Sequence, residues 1–400
     1  MTGVYDVAII GGGVVGCAIA RELSRYRLNT VLLEKYAEVG FGTTKTNSGI
    51  IHAGHHSSAD TLKGRLVTRG NELFDSLQEE LGFGFRRCGE IVVARDEEEI
   101  GHLKKLLAIG EEKGVPGLEL WDRERLRKEE PNLSTNLLAA LHAPSAGVIN
   151  PYEFAFALME CAQNNGVELL VDFAVEDIRK GDPSLTVFAE DGRSITSNFV
   201  LNAAGVHSDI VAKMLGLEDF TIHPRKGEEY MLDKRMQGIV KRLIFPVPQE
   251  KTKGTLIIPT YDGTIMVGPT ALDVEDRGDF ATTNDGSEHV FNFVSRICPS
   301  IHPRHTIAEF AGLRAASSSG DFIIGTTEVR GFINVAGVQS PGLTASPAIA
   351  ELVVEILGKE GLALIEKENF QAHVEAPPRF AQQKPARQRE LAEEDPLFAR

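Results

Sequence analysis

Residues 4–35 read VYDVAIIGGGVVGCAIARELSRYRLNTVLLEK. An apolar, β-branched run over 4–10 stops at three glycines, and apolar residues at helical spacing follow at Val14, Val15, Ala18, Ile19 and Leu23. A second apolar run, 30–33, ends in Glu34. The pattern predicts strand, tight turn, helix and strand. Gly11 permits the turn, Gly13 lets backbone approach a pyrophosphate, and Gly16 lets the helix pack against the sheet. The N–H groups at the helix start, helped by the helix dipole, suit phosphates. Glu34 stands 18 residues beyond Gly16, where a carboxylate accepts hydrogen bonds from the adenosine ribose. A dinucleotide is implied, and FAD and NAD share this signature.

Outward from this unit, residues 41–58 (FGTTKTNSGIIHAGHHSS) form a loop of small and polar residues that offers donors to a ligand. Apolar spacing predicts a helix over 61–82, a strand over 89–94, a charged helix over 97–113 and a short helix over 123–130. The βα alternation resumes at 151 with a helix over 152–164 and strands over 168–173, 185–188 and 199–202, the last running into Ala203-Ala204-Gly205 and a helix from Ser208. Residues 222–322 alternate β-branched strands with turns, Asp262-Gly263 marking a hairpin, so this block reads as an antiparallel sheet. Residues 332–357 return to strand, glycine turn and helix. The expected fold is α/β (α+β overall): a Rossmann-type nucleotide domain assembled from 1–85, 150–220 and 325–365, with an antiparallel substrate domain from 86–149 and 221–324. The stretch 371–400, rich in charge, Gln and Pro, is expected to be extended or disordered.

The net charge of −15 opposes nucleic acid and anionic membranes, so an anionic substrate needs a local basic pocket. The four cysteines, Cys17, Cys88, Cys161 and Cys298, lack metal-ligand spacing and read as buried thiols in a reducing compartment. The HxxHH run at His52, His55 and His56 has no acid or cysteine partner in a plausible frame, so no metal is expected. With no signal-peptide pattern and no apolar segment near 20 residues, a cytoplasmic protein is the expectation.

An ordered set of motifs resembles FAD-dependent oxidoreductases of the D-amino acid oxidase-like superfamily, and within it the L-2-hydroxyglutarate dehydrogenases and their glycerol-3-phosphate dehydrogenase-like relatives. The set is IIGGGVVG with Glu34, TNSGIIHAG (46–54) followed by TLKGRL, SAGVINPYE (145–153), NAAGVHSD (202–209), RKGEEY (225–230), VGPTA, FAGLRA (310–315) and AGVQSPGLTASPAIA. The resemblance favours FAD over NAD. It implies cofactor contacts at Gly11, Gly13, Gly16, Glu34, Thr44, Asn47, Ser48, Val175, Gly205, Gly312, Gly337, Gly342, Leu343 and Thr344.

Oxidising a C–H bond beside a hydroxyl needs a hydride acceptor, a base and cations that fix a carboxylate. His52 is the candidate base, its imidazole titrating near about 6.5. The resemblance makes Arg314 the carboxylate anchor, since a guanidinium grips a carboxylate with two hydrogen bonds. Lys226, with Arg225 and Tyr230 beside it, is the candidate for further substrate contacts. Glycerol-3-phosphate dehydrogenases proper carry Gly-Gly-Lys-x-x-Thr-Tyr-Arg after the last strand, where this chain has Ala336-Gly337-Val338-Gln339-Ser340-Pro341-Gly342. The missing lysine and arginine put an L-2-hydroxy acid such as 2-hydroxyglutarate first, sn-glycerol 3-phosphate second and amino or imino acids third. Longer relatives carry a cysteine-rich iron–sulfur domain that this sequence lacks, so an electron-accepting partner, an iron–sulfur or flavin subunit or a quinone, is expected.

Overall fold

The computed structural model describes residues 3–248, 254–375, 378–380 and 383–395. The opening stretch folds as its pattern requires. Strand Val4–Ile10 lies between Thr30–Leu33 and Ser194–Asn202, parallel to both, and Glu168–Leu170 and Phe332–Ala336 extend the parallel set. Three antiparallel strands, Val175–Lys180, Leu185–Ala189 and Ile323–Thr326, complete an eight-stranded sheet among the described residues. Helices Val14–Leu23, Leu62–Leu81, Pro151–Asn164 and Gly342–Lys359 cover one face through a core that includes Ile9, Ile19, Phe74, Phe154 and Ile349. Each such fully buried side chain contributes about 1.5–3 kcal/mol. The other face packs on the short helix Ser208–Lys213 and the strands beside it.

Among the described residues Ile50–Ile51, Gly147–Ile149 and Phe85–Arg87 form a small third sheet, and a nine-stranded sheet carries most of the rest. Its longest pairing joins Ile222–Leu232 to Thr306–Ser317 in antiparallel register along both strands. The expected hairpin is present, Leu256–Pro259 with Ile265–Gly268, and Gly263 takes the left-handed conformation the turn needs (φ 87°). The sheet is not wholly antiparallel: Leu243–Pro246 runs parallel to Glu90–Ala94 and so joins the 222–324 block to strands from 86–149. Helix Asn284–Ile297 seals one core of this sheet, and Leu103 and Leu106 of helix Glu97–Glu112 enter the other.

Of the tail 371–400, expected to be extended or disordered, residues 376–377, 381–382 and 396–400 lie outside the described residues, and one described stretch departs from the expectation. It includes a helix, Pro385–Glu394, with proline in its first turn and Leu391 buried. Upstream, Val374 enters the first core, the Gln371 carbonyl accepts from Asn165, and Arg379 bonds Glu153 and the Gly82 carbonyl while lying over the Tyr261 ring. Composition alone hides these few anchors. Among the described residues no helix is long and apolar enough to cross a membrane.

The turn at the start of the sheet has no spare room. A Cβ on Gly16 would stand 1.9 Å from the Gly11 carbonyl oxygen, and one on Gly11, at φ 109°, would stand 2.4 Å from that of Ala203. Gly16→Ala should therefore destabilise the protein by about 1–3 kcal/mol and release cofactor. Thermal melts with flavin quantification check this, and a wild-type melting temperature with full flavin content would refute the close-packing role.

Candidate active site

The carboxyl ends of the parallel strands open into a cavity of about 940 Å³ that runs on to the second sheet. At its nucleotide end, Gly11 and Gly13 line the wall and helix Val14–Leu23 begins with a glycine cap that makes no side-chain bond, leaving the helix start to the cavity. Thr44, in the short 3-10 turn Thr43–Thr46, accepts the Val14 N–H at 2.9 Å. Glu34 accepts from the Gly12 and Tyr36 N–H groups at 2.7 and 2.9 Å, while burial pushes its pKa up. Val175 and Gly205 line the same end, where Lys35 Nζ stands 3.1 Å from His207 Nε2. Burial and then Lys35 hold that imidazole down to about 4. The backbone cradle that side chains would fill, the uncapped helix start and the acid at the second strand fit a dinucleotide.

The middle of the cavity is walled by Asn47, Ser48, Gly312, Gly342 and Leu343. Asn47 accepts the Gly49 N–H at 2.7 Å and donates to the Thr44 carbonyl at 2.6 Å, which fixes the loop. Helix Gly342–Lys359 starts here without a side-chain cap, its dipole favouring negative charge. Gly16, Gly337 and Thr344 stand behind the wall. Gly16 supports the first turn, Gly337 turns at φ 66° against Ser317, and the Thr344 hydroxyl accepts the His52 N–H at 3.0 Å.

At the far end Arg314 and His52 face the same cavity. Arg314, half-buried, donates to the Thr270 carbonyl at 3.3 Å; burial lowers its pKa and the Glu229 carboxylate opposes that shift. His52 Nε2 lies 3.4 Å from the Ser340 hydroxyl. The two expected contacts on strand Ile222–Leu232 are corrected. Lys226 bonds Asp279 at 2.7 Å and the Ala281 carbonyl at 3.1 Å, and the Tyr230 hydroxyl donates to Glu228 at 2.8 Å inside the second core. Side chains alternate along a strand, so Arg225, Gly227 and Glu229 meet the cavity while 226, 228 and 230 point away.

Two residues escaped the sequence reading. Glu229, 2% exposed, takes a short hydrogen bond from Ser48, and the alternation around Gly227 was the signal that could have found it. Glu90, wholly buried, lies among the histidines of the HxxHH loop, supplying the acid the sequence did not place there; ligand atoms of His52, His56 and Glu90 lie within 4.8 Å of one another. No local spacing links residue 90 to residue 52, because sheet register brings them together.

The family profile described as FAD dependent oxidoreductase matches residues 6–356. The chain belongs to this family. It is 40% identical over 397 residues, 99% of this chain and 82% of the other, to a protein of Caloramator mitchellensis named glycerol 3-phosphate dehydrogenase. Human mitochondrial L-2-hydroxyglutarate dehydrogenase is 31% identical over 68% of this chain and 62% of its own length. The dithionite-reduced L-alpha-glycerophosphate oxidase of Mycoplasma pneumoniae, solved with FAD bound, has a TM-score of 0.90 at 29% identity, covering 94% of this chain and all of that one. The dinucleotide is FAD, and the chain is an FAD-dependent oxidoreductase.

Burial raises the Glu229 pKa from 4.5 to about 7, against the Ser48 bond and Arg314. The folded state then holds this proton more tightly than the unfolded chain, so the contribution to stability is full below pH 4.5 and lost as pH rises through about 7. Glu229→Gln should flatten that part of the stability profile in urea denaturation between these values. Parallel profiles for variant and wild type would show an ordinary carboxyl.

Proposed function

We propose that the protein oxidises sn-glycerol 3-phosphate at its secondary hydroxyl with FAD as the electron acceptor. The observation that carries this reading is the 40% identity along nearly the whole chain to a protein named for that substrate. It reverses the order drawn from the missing lysine and arginine. The 336–342 segment meets the cavity through Val338, Gln339 and Ser340, whereas Arg314, a cation that can grip an anion, comes from another strand. Lacking charge in that turn therefore leaves an anion site intact.

FAD, when bound, supplies a two-electron acceptor. The chain supplies the rest. The Arg314 guanidinium fixes the anionic group of the substrate by paired hydrogen bonds, which orients the carbinol carbon. His52 takes the hydroxyl proton at Nε2, on the side of Ser340. The start of helix Gly342–Lys359 offers N–H groups to negative charge that builds up beside it. In this reading Asn47, Ser48 and Thr44 hold the loop against the cofactor, and Val175 and Gly205 flank its nucleotide half. Electrons leave to a separate redox subunit or a quinone, in keeping with the relative named a dehydrogenase.

Anaerobic mixing with substrates tests the assignment. Glycerol 3-phosphate should bleach the flavin, L-2-hydroxyglutarate should not, and the reduced protein should reoxidise slowly in air-saturated buffer. Bleaching by the hydroxy acid alone would restore the earlier order, and rapid peroxide release would make the protein an oxidase. Arg314→Ala should cost about 2–5 kcal/mol of transition-state binding, about 30-fold to several thousand-fold in kcat/KM by steady-state kinetics. A loss under threefold would move the anion grip elsewhere.

A further inference from the structure

We propose that Glu90 is a positioning residue for the oxidation, a buried counter-ion that holds His52 ready for the substrate proton and shares that proton with His56 and His55. The inference rests on His52 as the base in the proposed function. Glu90 opens strand Glu90–Ala94 inside the second sheet, and the strands on either side set Leu243 and Ala143 beside it. A carboxylate in such an apolar place needs a cation close by. Three imidazoles from one loop approach it: His56 Nε2 at 3.2 Å, His55 Nε2 at 3.4 Å and His52 Nδ1 at 3.9 Å. A negative charge within about 4–6 Å favours the protonated ring.

The two nitrogens of His52 have different surroundings. Nε2 lies by Ser340 and the cavity, and Nδ1 lies toward Glu90. The backbone of His52 is held from both sides, its N–H on the Thr344 hydroxyl and its carbonyl on Asn71, which Arg87 in turn bonds at 3.1 Å. The His55 and His56 ring centroids are 4.2 Å apart, and Phe245 closes the far side of His56 at 5.0 Å. His56 also lines the cavity, so two of the three rings touch the reaction space while His55 is enclosed behind them. Other charged groups near this loop include Arg87, Asp60, which accepts from the Ser58 hydroxyl at 3.1 Å, Lys63, which lines the cavity beside Ser57 and Ser58, and Lys113. Lys113 bonds the Gly54 and Ser57 carbonyls at 2.6 and 3.0 Å, and burial lowers it to about 8.

The balance of the step is simple. The C–H bond breaks with its hydrogen leaving as hydride, taken up by FAD when it is bound, the O–H bond breaks with its proton passing to His52, and the carbonyl forms. The protein thereby gains one positive charge next to Glu90, which offsets it. The proton can then rest on whichever of the three rings is best placed before it returns to water.

The test is the pH dependence of anaerobic flavin reduction, read beside the pH dependence of His52 modification by diethyl pyrocarbonate, mapped by mass spectrometry on the FAD-loaded protein. In Glu90→Gln both midpoints should fall by about one unit or more, and Glu90→Asp should restore part of the shift. His56→Gln should move them upward, because one fewer ring competes for the carboxylate. Opposite shifts are not expected from a merely structural role, and His56→Gln carries the test if Glu90→Gln fails to fold. Unmoved midpoints in a folded, FAD-loaded variant would overturn the inference. So would a stoichiometric divalent ion in the purified protein whose removal exposes all three histidines to the reagent. Full flavin reduction by His52→Ala would instead defeat the assignment of the base, leaving the modification profile to report on Glu90.

Discussion

The two-residue period of the paired strands Ile222–Leu232 and Thr306–Ser317 governs the substrate end of this protein. Their register sets Arg225 directly opposite Arg314, and like charges so placed repel. The structure offsets the repulsion outside the pair: Arg225 turns to Asp273, at 2.6 Å, and Arg314 has the Glu229 carboxylate nearby. On the opposite face the Glu228 carboxylate accepts from the Tyr230 hydroxyl and from the Thr283 N–H and hydroxyl, and belongs to the packing under helix Asn284–Ile297. A slip of one residue would exchange these faces, burying the guanidinium and bringing a core tyrosine to the cavity.

Charge in the cavity is accordingly arranged in small neutralised groups. Arg277 meets Asp209, Arg225 meets Asp273, and Glu229 meets Ser48 within reach of Arg314. Against a net charge of −15, this local pairing lets a few cations act on an anionic ligand at short range without a broad basic surface.

The nucleotide half was legible because its signals are local: a strand ending at Gly11, a helix start at Gly13 and an acid at Glu34 lie within 35 residues, and each has one physical use. The loop of 41–58 could be recognised as a site by its composition, and Arg314 by its motif. Lys226 and Tyr230 were misjudged because a motif names a stretch, while the face each residue presents depends on its parity within the strand. Glu90 was invisible for a different reason. Only the pairing of strands distant in sequence decides what lies beside a given histidine. The small anchors in the tail, Val374 and Arg379, are likewise single residues whose partners are far away, so composition pointed to disorder where packing exists.

Strand Phe332–Ala336 completes the parallel set begun by Val4–Ile10, and Thr344 secures a histidine 292 residues earlier in the chain. A growing polypeptide therefore meets a timing problem. Its opening βα unit leaves the ribosome well before Phe332–Ala336, the strand that extends the same sheet beyond Ser194–Asn202. Between the synthesis of Ser194–Asn202 and that of Phe332–Ala336, 332 − 202 = 130 residues apart, the edge of the former and the apolar faces beside it wait for a segment that does not yet exist. Contacts of such long sequence separation form slowly and expose surface to association in the meantime, so the unfinished sheet is where this enzyme is most open to misassembly until that strand arrives.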